Sequence, residues 1–496
     1  MEATSVSSHG QIRFILGGKS VSVDAVEPTR TVLTYLRESL GRPGTKEGCA
    51  EGDCGACTVV IGELCNGRVQ MKTINSCIQF LPTLDGKALF TVEDMRLADG
   101  SLHPVQEAMV VCHGSQCGFC TPGFVMSLWR VYLQHTLSDE KDSRADEAEI
   151  RSALTGNLCR CTGYRPIIEA GKKMFDLPKA TFDLETLQAN LLSIKRDTTL
   201  AFEHNGQHFF APKSLAELLQ LRARHPKATI LAGSTDVGLW VNKQFRDLGD
   251  IIFIGEVAEL KTITASNTTI TIGTAVSLAD AYAALRDHYP EMNEMWERFA
   301  SQPIRNAGTL GGNVANGSPI GDSMPALIAL ASSVTLASVA GTRKLALEDL
   351  YLAYMKNAIA PNEVLATIEM PLPVSGRQFR IYKVSKRFDS DISAVCAAFS
   401  ILLDDGRIAD ARVAFGGMAA TPKRATATEA ALNGHPWKEA TARAAMAALA
   451  TDFAPLSDMR ASREYRLSTA QNLLYRFYLE TRSVEPLPAN SISVFA

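Results

Sequence analysis

The sequence predicts a multidomain α+β protein: a small strand-rich unit, a four-helix unit, and two larger segments mixing strands and helices. Three observations carry this reading. The hydrophobic period changes from two to helical near residue 93, strands and helices alternate again from about residue 198, and the cysteines are crowded. Of 11 cysteines, ten precede residue 162 and only Cys396 follows. A chain of 496 residues, at roughly 100–200 per domain, asks for three or four domains. Hydrophobic residues at 46% and charged residues at 21% allow ordinary buried cores. The net charge of −3 offers no bulk basic surface, so no nucleic-acid or membrane partner is expected. No apolar run reaches the ~18 residues of a membrane helix. The opening MEATSVSSHGQIRF lacks a basic stretch followed by an apolar one, so no secretion signal is expected. The expected setting is cytoplasmic.

Residues 1–92 justify the first unit. QIRFILGGKSVSV places two strand-like runs about Gly17-Gly18, a hairpin signal. In PTRTVLTYLRESLG, Val32, Leu33, Leu36 and Leu40 form a helical stripe that Gly41 would stop. A Gly- and Cys-rich loop fills 42–57, followed by strand-like TVVIGE and GRVQMKTI and a last strand in ALFTVEDM. Residues 93–172 hold four helical segments, SLHPVQEAMVVCHG, PGFVMSLWRVYLQHTL, DEAEIRSALTGN and RPIIEAGKKMF. Thr121-Pro122 reads as a cap with a first-turn proline, and Pro166 fits the same role. Residues 173–197 show no clear period and read as a linker. The third segment, 198–372, alternates strands and helices and carries Gly-rich loops at 233–238 and 308–321. A break near Pro371-Pro373 precedes a final α+β segment, 373–496, with Ala-rich helices.

Cys49, Cys54 and Cys57 follow C-x4-C-x2-C, with Cys77 after a strand pair. This is the plant-type spacing for a [2Fe-2S] cluster, four soft thiolates around two irons. Gly48, Gly52 and Gly55 let backbone N–H groups approach the sulfurs. A zinc site or inert thiols are the other readings, although zinc motifs usually pair C-x2-C with a second close pair. Cys65 reads as a spectator.

Cys117 and Cys120 form C-x2-C, and Cys159 and Cys161 form C-x-C, each pair just before a helical segment. Helix N-termini favour the negative charge of a thiolate-ligated cluster. Spacing alone leaves zinc open here too. Cys112 reads as a spectator and His113 as a surface histidine.

Together, GCAEGDCGACTV with INSCI and HGSQCGFCTPG with GNLCRCTGYRPI resemble the tandem iron–sulfur half of the xanthine dehydrogenase and aldehyde oxidase group of molybdenum hydroxylases. The resemblance implies a β-grasp, ferredoxin-like [2Fe-2S] domain at 1–92 and a helical [2Fe-2S] domain at 93–172. It implies that the second cluster lies nearer a molybdopterin, which Gln116 would contact in a partner subunit.

No Gly-x-Gly spacing and no Gly-x4-Gly-Lys occur, so neither a Rossmann fingerprint nor a P-loop is present. ILAGSTDVG follows a strand and offers bare N–H groups and the Ser234 and Thr235 hydroxyls, donors that a pyrophosphate needs. RNAGTLGGNVANGSPIGD offers a second cradle with Asn313 and Asp322. Read alone, both loops could equally be tight structural turns. They resemble the FAD-binding segments of the same enzyme group, in the vanillyl-alcohol oxidase-type fold. The resemblance implies that Ile230, Leu231, Ala232, Gly233, Ser234, Thr235, Asp236 and Val237, with Thr309, Leu310, Gly311, Gly312 and Asn313, hold the pyrophosphate and adjoining groups. It sets Asp322 by the ribityl–phosphate region and Phe299 on the adenine side, with Leu365 and Lys383 as further flavin contacts. For Phe299 and Leu365, plain core packing is the other reading. In the loop KRFDSDIS, Phe388 and Ser390 stand where NAD-using relatives more usually carry charged residues.

The resemblance therefore implies two [2Fe-2S] clusters and one FAD in this chain. It implies NAD+ as electron acceptor and a large molybdopterin-binding partner subunit, assembled into a heterotetramer that oxidises xanthine or hypoxanthine. The gap in cysteines from 162 to 395 argues against a further cysteine-ligated cluster.

Overall fold

The computed structural model describes residues 10–140 and 142–488. The opening MEATSVSSH, read above for a secretion signal, lies outside the described residues. The described chain divides into two compact units, one of residues 10–259, 277–279 and 301–309, the other of 260–276, 280–300 and 310–488.

In the first unit, β1 (Ile12–Leu16) and β2 (Lys19–Val23) form the expected hairpin, with Gly17 and Gly18 at φ +54° and +83°. β3 (Thr58–Cys65), β4 (Arg68–Asn75) and β5 (Ala88–Phe90) complete a sheet of order β2-β1-β5-β3-β4. β1 and β5 run parallel at its centre, which is the β-grasp arrangement. The two-residue period sorts the strands' side chains into two cores. Ile12, Phe14, Val59, Ile61 and Leu89 face one, while Ile15, Val60, Ala88 and Phe90 face the other. A sheet buried on both faces needs the near-continuous apolar runs seen in IRFIL and ALF.

The predicted stripe at 32–40 forms differently. Val32–Thr34 is a single α-turn, and Tyr35–Ser39 widens into a π-turn. The wider turn carries Leu40 to the surface, 38% exposed. ALFTVEDM is strand only to Phe90, and Val92–Met95 closes as a 3-10 turn.

Four helices follow as expected, at Pro104–Val111, Thr121–Thr136, Glu147–Ala153 and Arg165–Lys173. Thr121 does not cap its helix. Cys120 occupies the N-cap in helical geometry without a side-chain cap, and the Thr121 hydroxyl donates to Ser115 Oγ at 2.7 Å. The stretch read as a linker is also different, because it holds the helix Leu184–Ile194, capped by Asp183. Leu187, Leu191 and Ile194 of that helix pack into the core shared by Phe90 and Trp129. Its apolar stripe spans barely three turns, too short to stand out as a period.

β6 (Leu200–His204), β7 (Gln207–Ala211), β8 (Thr229–Leu231) and β9 (Ile251–Phe253) form a second sheet, order β6-β7-β9-β8. Packing does not break at residue 198. Leu200, Phe202, Phe209 and Phe253 share a core with Phe14, Leu36 and Phe80. β8 runs parallel to β9, and the loop after its C-terminal end is the predicted Gly-rich 233–238. Such crevices at strand ends are where α/β sheets bind ligands.

In the second unit, β10 (Ile263–Ala265), β11 (Thr269–Gly273), β12 (Ser333–Ser338) and β13 (Gly341–Ala346) precede a short hairpin, β14 (Tyr351–Ala353) with β15 (Lys356–Asn357). β16 (Val364–Pro371) then inserts between β11 and β12 in an antiparallel sheet, order β10-β11-β16-β12-β13. The second Gly-rich stretch is not all loop, because Leu310–Asn316 is helical. After the break at Pro371, β17 (Arg377–Val384), β18 (Val395–Asp404), β19 (Arg407–Gly416) and β20 (Lys423–Arg424) form a separate sheet. Helices Thr426–Leu432, Glu439–Asp452 and Arg463–Thr481 cover it over Phe399, Phe415, Trp437 and Phe477. No helix among the described residues is long and apolar enough to cross a membrane.

Candidate cofactor sites

The first cysteine set gathers at one end of the β3–β4 hairpin, with Cys49, Cys54 and Cys57 in the loop before β3 and Cys77 in the turn after β4. The Arg37 guanidinium holds the loop's start through the carbonyls of Pro43 and Thr45, at 3.1 and 2.9 Å. Ser76 Oγ holds its end through the carbonyl of Cys57, at 2.7 Å. The thiols meet in a chain of contacts, Cys54 with Cys49, Cys49 with Cys77 and Cys77 with Cys57. Cys57 Sγ lies 3.2 Å from Cys77 Sγ, both buried, and Cys49 hydrogen-bonds Cys54. Hydrogen bonds with Cys54 and then Cys77 draw the Cys49 thiol far down while Cys54 rises; the contact with Cys77 lowers Cys57, and those with Cys49 and then Cys57 raise Cys77. Among the described residues, no three His, Cys, Asp or Glu side chains are grouped to hold a single ion. Four thiols in mutual contact suit a thiolate-ligated di-iron cluster, which takes four cysteine ligands.

Two further features fit such a group. A Cβ on Gly48 would stand 2.7 Å from Cys54 Sγ. Asn75 Nδ2 reaches Cys57 Sγ at 3.7 Å while its buried Oδ1 has no hydrogen-bond partner.

The second set sits at the start of Thr121–Thr136 and in the loop before Arg165–Lys173. Its hydrogen-bonded pairs draw on both motifs, Cys120 with Cys159 and Cys117 with Cys161. Burial, with the Cys159 contact, pushes the Cys120 thiol up to about 12. Tyr164, at φ +69°, places its hydroxyl 3.0 Å from the Cys159 N–H. Gln116 Nε2 donates to the Cys161 carbonyl at 3.1 Å. Cys117 and Cys161 are exposed, in contrast to the buried Cys57 and Cys77. His113 is exposed.

The flavin candidates fall in both units. In the first, Ile230 and Leu231 end β8, and Ala232 leads into Gly233. A Cβ on Gly233 would lie 1.9 Å from the Ala307 carbonyl, so the loop rests directly on helix Gln302–Ala307. Gly308, in turn, brings Thr235 Oγ1 within 3.2 Å of its own Cβ position. Thr309 follows and bridges to Ser277. Ser234 departs from expectation. At φ +64° and 3% exposed, it turns its hydroxyl inward to the Ile78 carbonyl, 2.6 Å away. It therefore offers no hydroxyl to a phosphate, which leaves the main-chain N–H groups and the Thr235 hydroxyl as the loop's donors. Asp236 and Val237 open the helix Val237–Asn242.

In the second unit, Phe299, Asp322 and Lys383 come together. Asp322 is fully buried, with Lys383 Nζ on one carboxylate oxygen and Ser393 Oγ on the other at 2.6 Å. Lys383 Nζ also lies 5.7 Å from the Phe299 ring centroid. Thr274 joins two more candidates. A Cβ on Gly311 would be 2.2 Å from Thr274 Cβ, and Thr274 Oγ1 donates to the Leu365 carbonyl at 2.9 Å. Leu310 is fully buried, Gly312 lies in the same helix, and the buried Asn313 Oδ1 has no hydrogen-bond partner. An orphaned acceptor in a glycine-lined helix start fits a ligand with its own donors. Sequence reasoning missed Thr274, Ser393 and Arg298, whose guanidinium donates to the Lys383 carbonyl at 3.0 Å and lies over Phe388. Nothing in their local spacing marks them, since each acts through a residue distant in sequence.

Four domain families match the chain in order. They are a 2Fe-2S iron-sulfur cluster binding domain at 14–78, a [2Fe-2S] binding domain at 91–172, the FAD binding domain in molybdopterin dehydrogenase at 201–373, and the CO dehydrogenase flavoprotein C-terminal domain at 380–481. The chain is similar to a xanthine dehydrogenase of Emericella nidulans, 31% identical over 95% of this chain and 39% of the relative. It is similar to that of Drosophila subobscura, 34% identical over 85% of this chain and 35% of the relative. It is also similar to the xanthine dehydrogenase/oxidase of Gallus gallus, 30% identical over 97% of this chain and 42% of the relative. The chain thus spans about two fifths of the length of these relatives. Among solved structures, it resembles a carbon monoxide dehydrogenase chain from Hydrogenophaga pseudoflava, at 26% identity and TM-score 0.52, covering 54% of this chain and 94% of that one.

Proposed function

Because the chain belongs to the iron–sulfur/FAD part of the molybdenum hydroxylase family, we propose that it is the electron-transfer subunit of a xanthine dehydrogenase. The full reaction would be xanthine, water and NAD+ giving urate, NADH and a proton, with the molybdenum chemistry on a large partner subunit. When bound, the two [2Fe-2S] groups supply one-electron steps, and the FAD supplies the exchange between single electrons and a hydride.

The observation that carries this reading is the contrast between the two thiol sets. Cys117 and Cys161 lie at the surface, where a partner's cofactor can approach, and Gln116 beside them is the proposed pterin contact. Cys57 and Cys77 are buried, shielded from water, and Ile78 next to Cys77 touches the Gly-rich loop through Ser234. The chain's residues thereby order an entrance, an insulated middle and an exit. The proposed ligands are Cys49, Cys54, Cys57 and Cys77 for one cluster and Cys117, Cys120, Cys159 and Cys161 for the other. Cys57→Ser is expected to halve the iron content, and Cys65→Ser to leave it unchanged. For the flavin, the backbone of 230–237, with Thr309, Leu310, Gly311, Gly312 and Asn313, would hold the pyrophosphate. Phe299, Asp322, Leu365 and Lys383 would line the rest.

A second reading, a carbon monoxide, aldehyde or N-heterocycle hydroxylase, draws on the CO dehydrogenase likeness. The relatives named for xanthine match the iron–sulfur and flavin parts together, over 85–97% of this chain, which favours the first. Co-expression with a molybdopterin subunit, gel filtration and an assay of xanthine-dependent NADH formation decide between them. A stable complex with xanthine:NAD+ activity is expected. A complex that turns over carbon monoxide or an aldehyde and not xanthine would favour the second, and a lone chain with full activity would sink both.

A further inference from the structure

Asn157 lies between the two cysteine sets, and its buried carboxamide is fully engaged. Nδ2 donates to the Gly55 carbonyl at 3.2 Å and to Thr58 Oγ1 at 3.3 Å, while Oδ1 accepts from Ser127 Oγ at 2.7 Å. Gly55 and Thr58 flank Cys57 in the first set, and Asn157 stands two residues before Cys159 in the second. The next residue, Leu158, donates its N–H to the carbonyl of Cys54 at 3.0 Å.

The backbones touch here without side chains between them. A Cβ on Gly55 would lie 2.4 Å from the Gly156 carbonyl, and one on Gly123 would lie 2.1 Å from the Gly55 carbonyl. Asn157 itself is 3% exposed, so these hydrogen bonds are made away from water, where an unmade one is costly.

We propose that Asn157 is a positioning residue that fixes the spacing of the two di-iron sites and keeps the Cys54–Leu158 hydrogen bond closed. A carboxamide suits this task because it offers two donors on one side and an acceptor on the other. Ser127, from helix Thr121–Thr136, selects the orientation by donating to Oδ1, so that Nδ2 must face the first ligand loop. An aspartate has the same shape but no donors, and it sets negative oxygen against the Gly55 carbonyl.

The test uses the full chain loaded with both clusters and chemically reduced, read by electron paramagnetic resonance. Because Leu158, next to Cys159, hydrogen-bonds the Cys54 carbonyl, the two reduced centres are expected to split each other's signals, and the splitting would report their separation and coupling. Asn157→Asp is expected to keep both individual spectra and full iron while changing or broadening the splitting. Full iron with wild-type splitting in that variant would overturn the proposal. If Asn157→Asp fails to load iron, Ser127→Ala, an exchange favourable to its helix, is read in the same way. It keeps the amide donors but frees their orientation, so a broadened splitting supports the proposal and an unchanged one rejects it.

Discussion

Ser234 Oγ donates to the main-chain carbonyl of Ile78 at 2.6 Å, tying the Gly-rich loop after β8 to the residue next to Cys77. Two more contacts repeat the link along the same short helix. A Cβ on Gly238 would meet the Ile78 carbonyl at 2.5 Å, and Asn242 Nδ2 donates to the carbonyls of Cys77 and Ala50, at 2.7 and 3.1 Å. A helix of six residues thus carries the candidate pyrophosphate loop at one end and a clamp on the first thiol set at the other.

Asn242→Leu is therefore expected to leave the carbonyls of Ala50 and Cys77, one on each ligand-bearing segment, without their donor. Such a loss costs about 1–3 kcal/mol. A lowered denaturant midpoint, with a shifted spectrum of the first cluster and an unchanged second, is the expected result. A shift confined to the second cluster would contradict the clamp.

Gly233 separates close approach from backbone conformation. Its added Cβ would strike the Ala307 carbonyl, which belongs to rigid main chain and cannot rotate away. Gly233→Ala is expected to expel the flavin while the iron remains. Gly67→Ala is the control. Gly67 has φ +77° and open space around it, so the cost there is the left-handed conformation alone, about 1–2 kcal/mol. Flavin-to-protein and iron-to-protein ratios after purification check both variants.

The gathering of each cysteine set was legible because motif spacing is local. The β-grasp hairpin at Gly17-Gly18 was legible for the same reason. What escaped the sequence is what depends on contacts between distant segments. The helix Leu184–Ile194 exists because a second face of the β-grasp sheet needs cover, and its own eleven residues barely show a period. Packing runs on across residue 198, because Phe202 and Phe209 share a core with Phe14. Ser234 looked like a phosphate donor because its neighbours are glycine and threonine. Only the approach of Ile78 turns its hydroxyl inward.

Asp322 and Lys383 make a second kind of prediction. Their side chains are 0% and 1% exposed, and Ser393 completes the pair. Removing one member strands a buried charge, at about 3–5 kcal/mol, whereas replacing both with uncharged groups is often near neutral. Lys383→Met alone should therefore lower the denaturation midpoint of the flavin-free chain more than Lys383→Met combined with Asp322→Asn. Equal losses would show that the two do not act as a pair. The double variant is nonetheless expected to bind flavin weakly, since it removes two proposed contacts.

His103 supplies the pH dependence. It caps the helix Pro104–Val111, its Nδ1 accepting the Val105 N–H at 3.2 Å, and its ring packs edge-on against Tyr132 at 4.9 Å. Burial holds its pKa down, to about 4 from an ordinary 6.5. The capping bond needs a bare lone pair on Nδ1, so the fold favours the neutral ring. An unfolded chain takes up the proton as pH falls below 6.5, and the folded chain resists until about 4. The stabilisation is therefore complete above pH 6.5 and drains away between 6.5 and 4. At about 1.4 kcal/mol per pH unit, the total is on the order of 3 kcal/mol. His103→Asn keeps a cap acceptor, because asparagine is a preferred N-cap, and removes the titration. Denaturant midpoints measured from pH 7.5 to 4 should fall more steeply in the parent chain than in this variant. Parallel curves would show that folding leaves the pKa of His103 unshifted.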